Sequence, residues 1–225
     1  MGKDFSGKLV LVDAGHGGVI GGKYQTPGKR AYFKDGKLMD VSKLGVEHCE
    51  ENCDSKYYEG VGNRLIRDIV MKMLRDKGIP AVAVTTGNED VRLSDRVKII
   101  NNYAKKYGVK NCLVVSIHSD AFNDPKAHGW SVYTTKGVTG SDKVSTKAYE
   151  LAEKKWPKEK LRKDTRDGDP DKEANFYIIA KCSPRAVLFE NFFMTNYKDY
   201  TTHLNNLAGR TKIAEVIVET IVETI

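Results

Sequence analysis

"LVDAGHGG", residues 11–18, decides how the chain folds: an apolar run breaks into glycines around a single histidine. Leu9, Val10, Leu11 and Val12 favour a buried pleat, while Gly15, Gly17 and Gly18 let the backbone turn sharply and keep bulk away from the imidazole of His16. That arrangement presents a ligand at a strand end; a hydrogen-bonded turn histidine is the competing reading. Working outward, "AVAVTT" (81–86), "CLVVSIH" (112–118), "GWSVYTT" (129–135), "NFYIIA" (175–180) and "AVLFEN" (186–191) read as further strands. Residues 59–77 carry apolar side chains at Val61, Leu65, Ile66, Ile69, Met73 and Leu74, a helix face closed by Gly78 and Pro80. Helices are also predicted over 92–107, 141–156 and 207–225. Strands alternating with helices predict a single α/β domain over 1–225, a twisted, mostly parallel sheet of about six strands with helices on both faces. The stretch 19–57 has no sustained periodicity and is expected to be a long surface insertion beginning beside His16.

Composition narrows the function. Thirty-seven Lys and Arg against thirty Asp and Glu give a net charge of +7, which favours an anionic partner. The basic residues are interspersed with acids, as in "ELAEKKWPKEKLRKDTRDGDPDKE", and match no nucleic-acid module, so nucleic acid is not expected as a partner. No apolar stretch is long enough to cross a bilayer, so membrane insertion is not expected either. The lead "MGKDFSGKLVLV" has neither the apolar core nor the cleavage site of a signal peptide, which predicts synthesis in the cytoplasm. Four cysteines are too few and too scattered for a disulfide scaffold. "EHCEENCD" (47–54) brings His48, Cys49 and Cys53 close in sequence, but a structural zinc site needs a fourth ligand, and free thiols in the insertion are the expected state.

Ligands of an open α/β sheet bind beyond the carboxyl ends of its strands. His16 follows the first strand, His118 follows the apolar run "NCLVVSI", and Glu59 opens the first long helix, where the helix dipole favours its charge. Two imidazoles and a carboxylate are a known catalytic zinc set that leaves a coordination position for water or substrate. Glu190 ends the strand "RAVLFE", where a carboxylate is seldom left without a purpose. Beside an ion it can take a proton from water and return it to a leaving amine. Each residue also has a structural alternative: His118 bonded to Ser116 or Ser119, Glu59 as a first-turn acid, Glu190 paired with Arg185 or Lys181.

These stretches resemble the zinc-dependent N-acetylmuramoyl-L-alanine amidases of the type 3 family, which cut peptidoglycan. The motifs carrying the resemblance are "DAGHGG" from Asp13, "EGVGN" from Glu59, "SIHSDA" from Ser116 and "LFENFFMTN" from Leu188; "VRLSDRVKIINNY" resembles the second helix, with Arg96 in the arginine position. The similarity runs from about residue 7 to the C-terminus. It implies one zinc ion on His16, Glu59 and His118, with Glu190 as the catalytic carboxylate. It further implies Asn63 and Asp120 as substrate-binding positions, and the peptidoglycan stem peptide and N-acetylmuramic acid as partners. Two departures stand out: the insertion before Glu59 is longer than in compact members, which makes Glu47, Glu50 and Glu51 rivals for the second ligand, and Asp120 stands where many members have Asn.

The expected reaction is hydrolysis of the amide between N-acetylmuramic acid and L-alanine. The expected setting is a phage or prophage endolysin that reaches the wall through a membrane pore, with a bacterial wall-remodelling amidase as the alternative. A zinc carboxypeptidase would take His and Glu from one His-x-x-Glu turn, and the residue three after His16 is Val19. A non-catalytic wall-binding module has no need of His16, Glu59, His118 and Glu190 together. Trp130, Tyr133, Phe192 and Phe193 are candidates for a groove wall, with core packing expected for at least two; His128 and His203 are expected to be idle.

Overall fold

The computed structural model describes residues 3–225, so the first two residues of the expected 1–225 domain lie outside it. Eleven strands are present among the described residues. In chain order they are β1 (Leu9–Ala14), β2 (Val19–Ile20), β3 (Lys23–Tyr24), β4 (Arg30–Lys34), β5 (Lys37–Leu38), β6 (Ser55–Tyr58), β7 (Ala81–Ala83), β8 (Cys112–Asp120), β9 (Ser131–Thr134), β10 (Lys172–Glu173) and β11 (Arg185–Phe193). The helices are α1 (Val41–Leu44), α2 (Val46–Asn52), α3 (Glu59–Asp76), α4 (Leu93–Tyr107), α5 (Asp142–Lys155), α6 (Tyr177–Ala180), α7 (Tyr197–Asp199) and α8 (Leu207–Thr224).

Six strands form the main sheet in the order β10-β9-β11-β8-β1-β7. All its pairings are parallel except β9 with β11. Every residue of β1 is buried, as a central strand covered on both faces requires. Val10, Val12, Val115 and Ile117 pack in one core layer with Ile66 and Val70 of α3, Ala148 of α5 and Ile217 of α8. Leu9, Leu11, Val114 and Leu188 pack in the other with Ile100 of α4 and Ile178 of α6. The alternation along each strand sends Asp13, Ser116, His118 and Glu190 to the face of the second layer.

Three local expectations are corrected. "NFYIIA" is helical at Tyr177–Ala180, and the sixth strand is Lys172–Glu173 instead. A short apolar run cannot by itself separate a strand from one turn of buried helix, and here Ile178 and Ile179 cap the second core layer. The buried side of α3 is rotated from the expected face: Leu65 is 43% exposed, while Arg64, Arg67 and Asn63 are buried. Residues 19–57 are more than a surface excursion, because β4, β5 and β6 form a small antiparallel sheet and Ala31, Phe33 and Tyr57 join the first core layer. Phe33 stacks on Tyr200 with ring centroids 4.9 Å apart, tying the insertion to the segment before α8.

Candidate active site

β1 ends at Ala14, and His16 adopts φ 66°, a left-handed turn that costs an L-residue energy unless its surroundings impose it. The strained turn thus falls on the histidine, while Gly15, Gly17 and Gly18 serve close approach. A Cβ on Gly15 would lie 2.1 Å from Cε1 of His118, and one on Gly18 would lie 2.4 Å from Oδ1 of Asn88. Gly60 is needed from the other side, since a Cβ there would meet the Gly17 carbonyl at 1.9 Å.

The His16 turn is clamped through its own carbonyl. Arg64 Nη1 donates to it at 2.9 Å and Arg96 Nη2 at 3.0 Å. Arg96 also donates to Asp13 Oδ1 at 2.8 Å and to the Ala14 carbonyl, and both members of that ion pair are only 1% exposed. Asp13 is completed by the Ser116 hydroxyl at 2.9 Å. Ser116 is therefore committed to Asp13.

His118 comes from β8 and Glu59 from the first position of α3. Nε2 of His16 lies 3.2 Å, and Nδ1 of His118 3.0 Å, from the same oxygen, Oε1 of Glu59. The Ser119 backbone N–H at 3.3 Å and the Asn63 amide at 3.4 Å point at it too. The imidazoles stand edge to face, 5.0 Å apart at 87°. Burial alone would raise the Glu59 carboxyl, but the hydrogen bonds from His118 and His16 outweigh it and hold the group well below the usual carboxylate range. His16 and His118 expose 20% and 14% of their side chains and Glu59 only 2%, so the trio is open from the imidazole side.

One ligand atom from each of these three residues lies within 4.8 Å of the others. Two imidazole nitrogens and a carboxylate oxygen suit zinc, and the open side leaves room for a further ligand. Asp142, Asp169 and Asp171 also converge among the described residues, whereas His48, Cys49 and Cys53 are not among the converging groups. The rival Glu50 lies elsewhere, taken by the Tyr58 hydroxyl and Lys56.

Glu190 sits directly opposite His118 in the parallel β11–β8 pairing and opposite Ser131 in β9. Neither Arg185 nor Lys181 is its partner: Arg185 donates to the Thr224 carbonyl, and Oε2 of Glu190 is buried with no hydrogen bond. Burial, reinforced by the charges of Glu59 and Asp120, raises its pKa well above that of an ordinary glutamate. Just beyond it β11 bulges, with Phe192 at φ 64° stacked on the ring of His203 at 3.6 Å. Asn191 fixes the bulge by accepting from Trp130 Nε1 at 3.1 Å and donating to the His118 carbonyl at 3.0 Å.

Asn63 is completely buried, and its amide reaches the Gly15 carbonyl at 3.2 Å as well as Glu59. In this structure the Asn63 side chain has no exposed surface and supports Glu59 by hydrogen bonding. Asp120 is half-buried at the end of β8, its Oδ1 accepting from the Ala121 N–H at 2.8 Å, and burial raises its carboxyl. Trp130, Phe192 and Phe193 are core residues, leaving Tyr133 as the partly exposed one of the four aromatic candidates. His128 is exposed, but His203 is buried. Sequence reasoning missed Arg64, Asn191 and Asp199, whose Oδ2 accepts from the Gly129 and Phe193 N–H groups at 2.8 and 3.0 Å. An arginine five residues after Glu59, on a helix that must bury its first turn, was the available signal for Arg64.

An open cavity of about 340 Å³ lies against His16 and His118, walled by Gly15, Val91, Arg92 and Leu93. A larger cleft of about 610 Å³ separates Arg30–Ser42 of the insertion from Phe122 and Pro125.

Known proteins resemble this chain. Residues 10–223 match the family described as N-acetylmuramoyl-L-alanine amidase. The amidase AmiA of Salmonella typhimurium is 30% identical over 131 residues, which are 58% of this chain and 34% of that protein. The chain thus matches only about a third of the length of this curated relative. Among solved structures, the amidase AmiC2 of Nostoc punctiforme superposes with a TM-score of 0.69 at 22% identity, covering 97% of each chain. Ami1 of Mycobacterium smegmatis does so with a TM-score of 0.71 at 18% identity, covering 99% of this chain and 98% of its own. These two likenesses speak for the fold, and the family match spans both core layers and all four site residues. The chain belongs to the N-acetylmuramoyl-L-alanine amidase family.

Proposed function

We propose that this chain hydrolyses the amide between the lactyl group of N-acetylmuramic acid and L-alanine in peptidoglycan, using one zinc ion held by His16, Glu59 and His118. The observation that carries the proposal is the convergence of two imidazoles on one buried carboxylate oxygen with the unpartnered Glu190 carboxylate beside them. A zinc ion in that trio supplies Lewis-acid polarisation of the amide carbonyl and acidifies water. Glu190 takes the proton from the attacking water and delivers it to the departing alanine nitrogen, a role suited to a carboxyl whose pKa burial has raised. Asn63 and the Ser119 N–H keep Glu59 aimed, and Arg64 and Arg96 keep His16 turned toward it. Asp120, one strand position beyond Ser119, lies on the path of the stem peptide.

The test is mass spectrometry of sacculi digested by the zinc-loaded protein. The proposal requires peptides with a free L-alanine amino terminus and glycan with free lactyl groups; reducing sugar ends or internal peptide cuts would overturn it. Two settings fit this activity, a phage or prophage endolysin and a bacterial wall-remodelling amidase. The match to AmiA favours the second. The gene's neighbourhood, a lysis cassette or a chromosomal wall operon, separates the two. No helix among the described residues is long and apolar enough to cross a membrane, and the wall is the site of action in either setting.

A further inference from the structure

Two cations, Arg162 and Lys172, flank Asp120 without an ion pair of their own among the described residues. Arg162 follows the Trp130–Leu161 bridge, and its guanidinium carbon lies 4.9 Å from the centroid of Phe193, the residue paired with Asp120. Lys172 is paired with Tyr133 in the β10–β9 register, and its Nζ lies 5.3 Å from that ring's centroid. Tyr133 in turn lies opposite Leu188, two residues before Glu190. Both cations are half-buried, and among the described residues neither has an acidic oxygen within 4.0 Å. Nε of Arg162 is buried and makes no hydrogen bond. Burial and then the charge of Arg162 lower the pKa of Lys172, as expected of two cations brought together before an anion arrives.

Unpaired, partly desolvated cations are costly, and a protein keeps them where a ligand completes them. The aromatic faces beneath hold both heads in place without neutralising them. Around the scissile amide the sugar side of the substrate carries hydroxyl and acetamido groups and no charge, whereas the peptide side supplies carboxylates. An anion seat on this flank therefore fixes the direction in which the peptide leaves the zinc centre, across Asp120 toward β9 and β10.

We infer that Arg162 and Lys172 form a subsite for a free carboxylate on the stem peptide, placed just beyond the scissile amide, which selects acidic stems over amidated ones. The inference rests on the amidase reading above. Asp120 faces both cations, and Asp164 and Glu190 also act on Lys172, so mutual charge balance is the rival explanation. A balancing role acts on every substrate alike; a subsite acts only on the charged one.

The experiment compares two soluble muramoyl peptides that differ only in a carboxylate or a carboxamide on the residue after L-alanine, cleaved by the zinc-loaded protein. The wild type should favour the carboxylate by about tenfold or more in kcat/KM, expressed in KM. Arg162→Met and Lys172→Met should each bring that ratio toward one, and Lys172→Arg should retain it. Because the reading is a ratio, a partly unfolded variant does not distort it. A wild-type ratio near one, or variants that slow both substrates equally, would overturn the subsite. Cleavage of neither peptide at the muramoyl amide by the wild type would instead overturn the amidase reading beneath it.

Discussion

Nη2 of Arg96 donates to the backbone carbonyl of His16 at 3.0 Å, across 80 residues of sequence. Together with Arg64 on the same oxygen, it holds a β-strand's last turn at φ 66°, where an L-residue is seldom stable. The imidazole is consequently aimed by a backbone conformation that the α3 and α4 helices enforce.

Removing that clamp should be expensive. Arg96→Ala leaves the Asp13 carboxylate, 1% exposed, without its cation and frees the His16 carbonyl from one of its two guanidiniums. Breaking a buried pair from one side costs about 3–5 kcal/mol. Urea unfolding should show a loss of that order; a loss under about 1 kcal/mol would mean the pair contributes little.

Gly15→Ala tests the close approach of the two histidine-bearing segments. Its Cβ would meet the His118 ring at 2.1 Å, so either the ring or the turn must move. Zinc affinity should fall by about 10- to 100-fold, as when a ligand loses its support. Competition against a chromophoric chelator measures it, and unchanged affinity would show that the ring can yield freely.

Glu190→Gln keeps the shape of the side chain and removes the proposed base. Turnover of peptidoglycan should drop by about 10²–10⁴, while zinc content stays that of the wild type, because the carboxylate is not among the three converging ligands. Retained turnover would exclude Glu190 from the proton transfers.

Acid should destabilise the fold partly through His203. Burial lowers this imidazole from 6.5 to about 4, against the opposing pull of Glu159 and with help from Lys198 and Lys212. The unfolded chain takes up the proton first, so the contribution is present in full above about pH 6.5 and is lost as the pH falls toward 4. The total is on the order of 3 kcal/mol. His203→Gln should flatten the stability profile between those pH values; an unchanged slope would assign the acid sensitivity to other groups.

Much of this was legible in residues 9–18, 59–63, 112–121 and 186–196, because buried parallel strands are written as continuous apolar runs and their ends carry the chemistry. At those ends His16, Glu59, His118 and Glu190 stand out as candidates, though each keeps a structural alternative until the motifs are read together. Other features depend on tertiary partners. The left-handed turn falls on His16 and not on its glycines, because Arg64 and Arg96 grip its carbonyl from elements about 50 and 80 residues away. Tyr177–Ala180 form a helix because the second core layer needs Ile178 and Ile179 as a cap, which periodicity over six residues cannot reveal. The insertion hides its three-stranded sheet in short strands whose apolar residues, Ala31, Phe33 and Tyr57, are separated by polar turns. Asn63 was visible as a motif position, but its burial beneath Glu59 was not.

The proposed function stands on one zinc ion shared by three side chains, from the turn after β1, from α3 and from β8. Elemental analysis of the purified protein after exposure to zinc and removal of excess measures this directly, run beside Glu59→Ala and His118→Ala. One equivalent of zinc per wild-type chain, and a loss of most of it in each folded variant, is the predicted result. A wild-type protein that retains no zinc, or variants that keep a full equivalent, would contradict it.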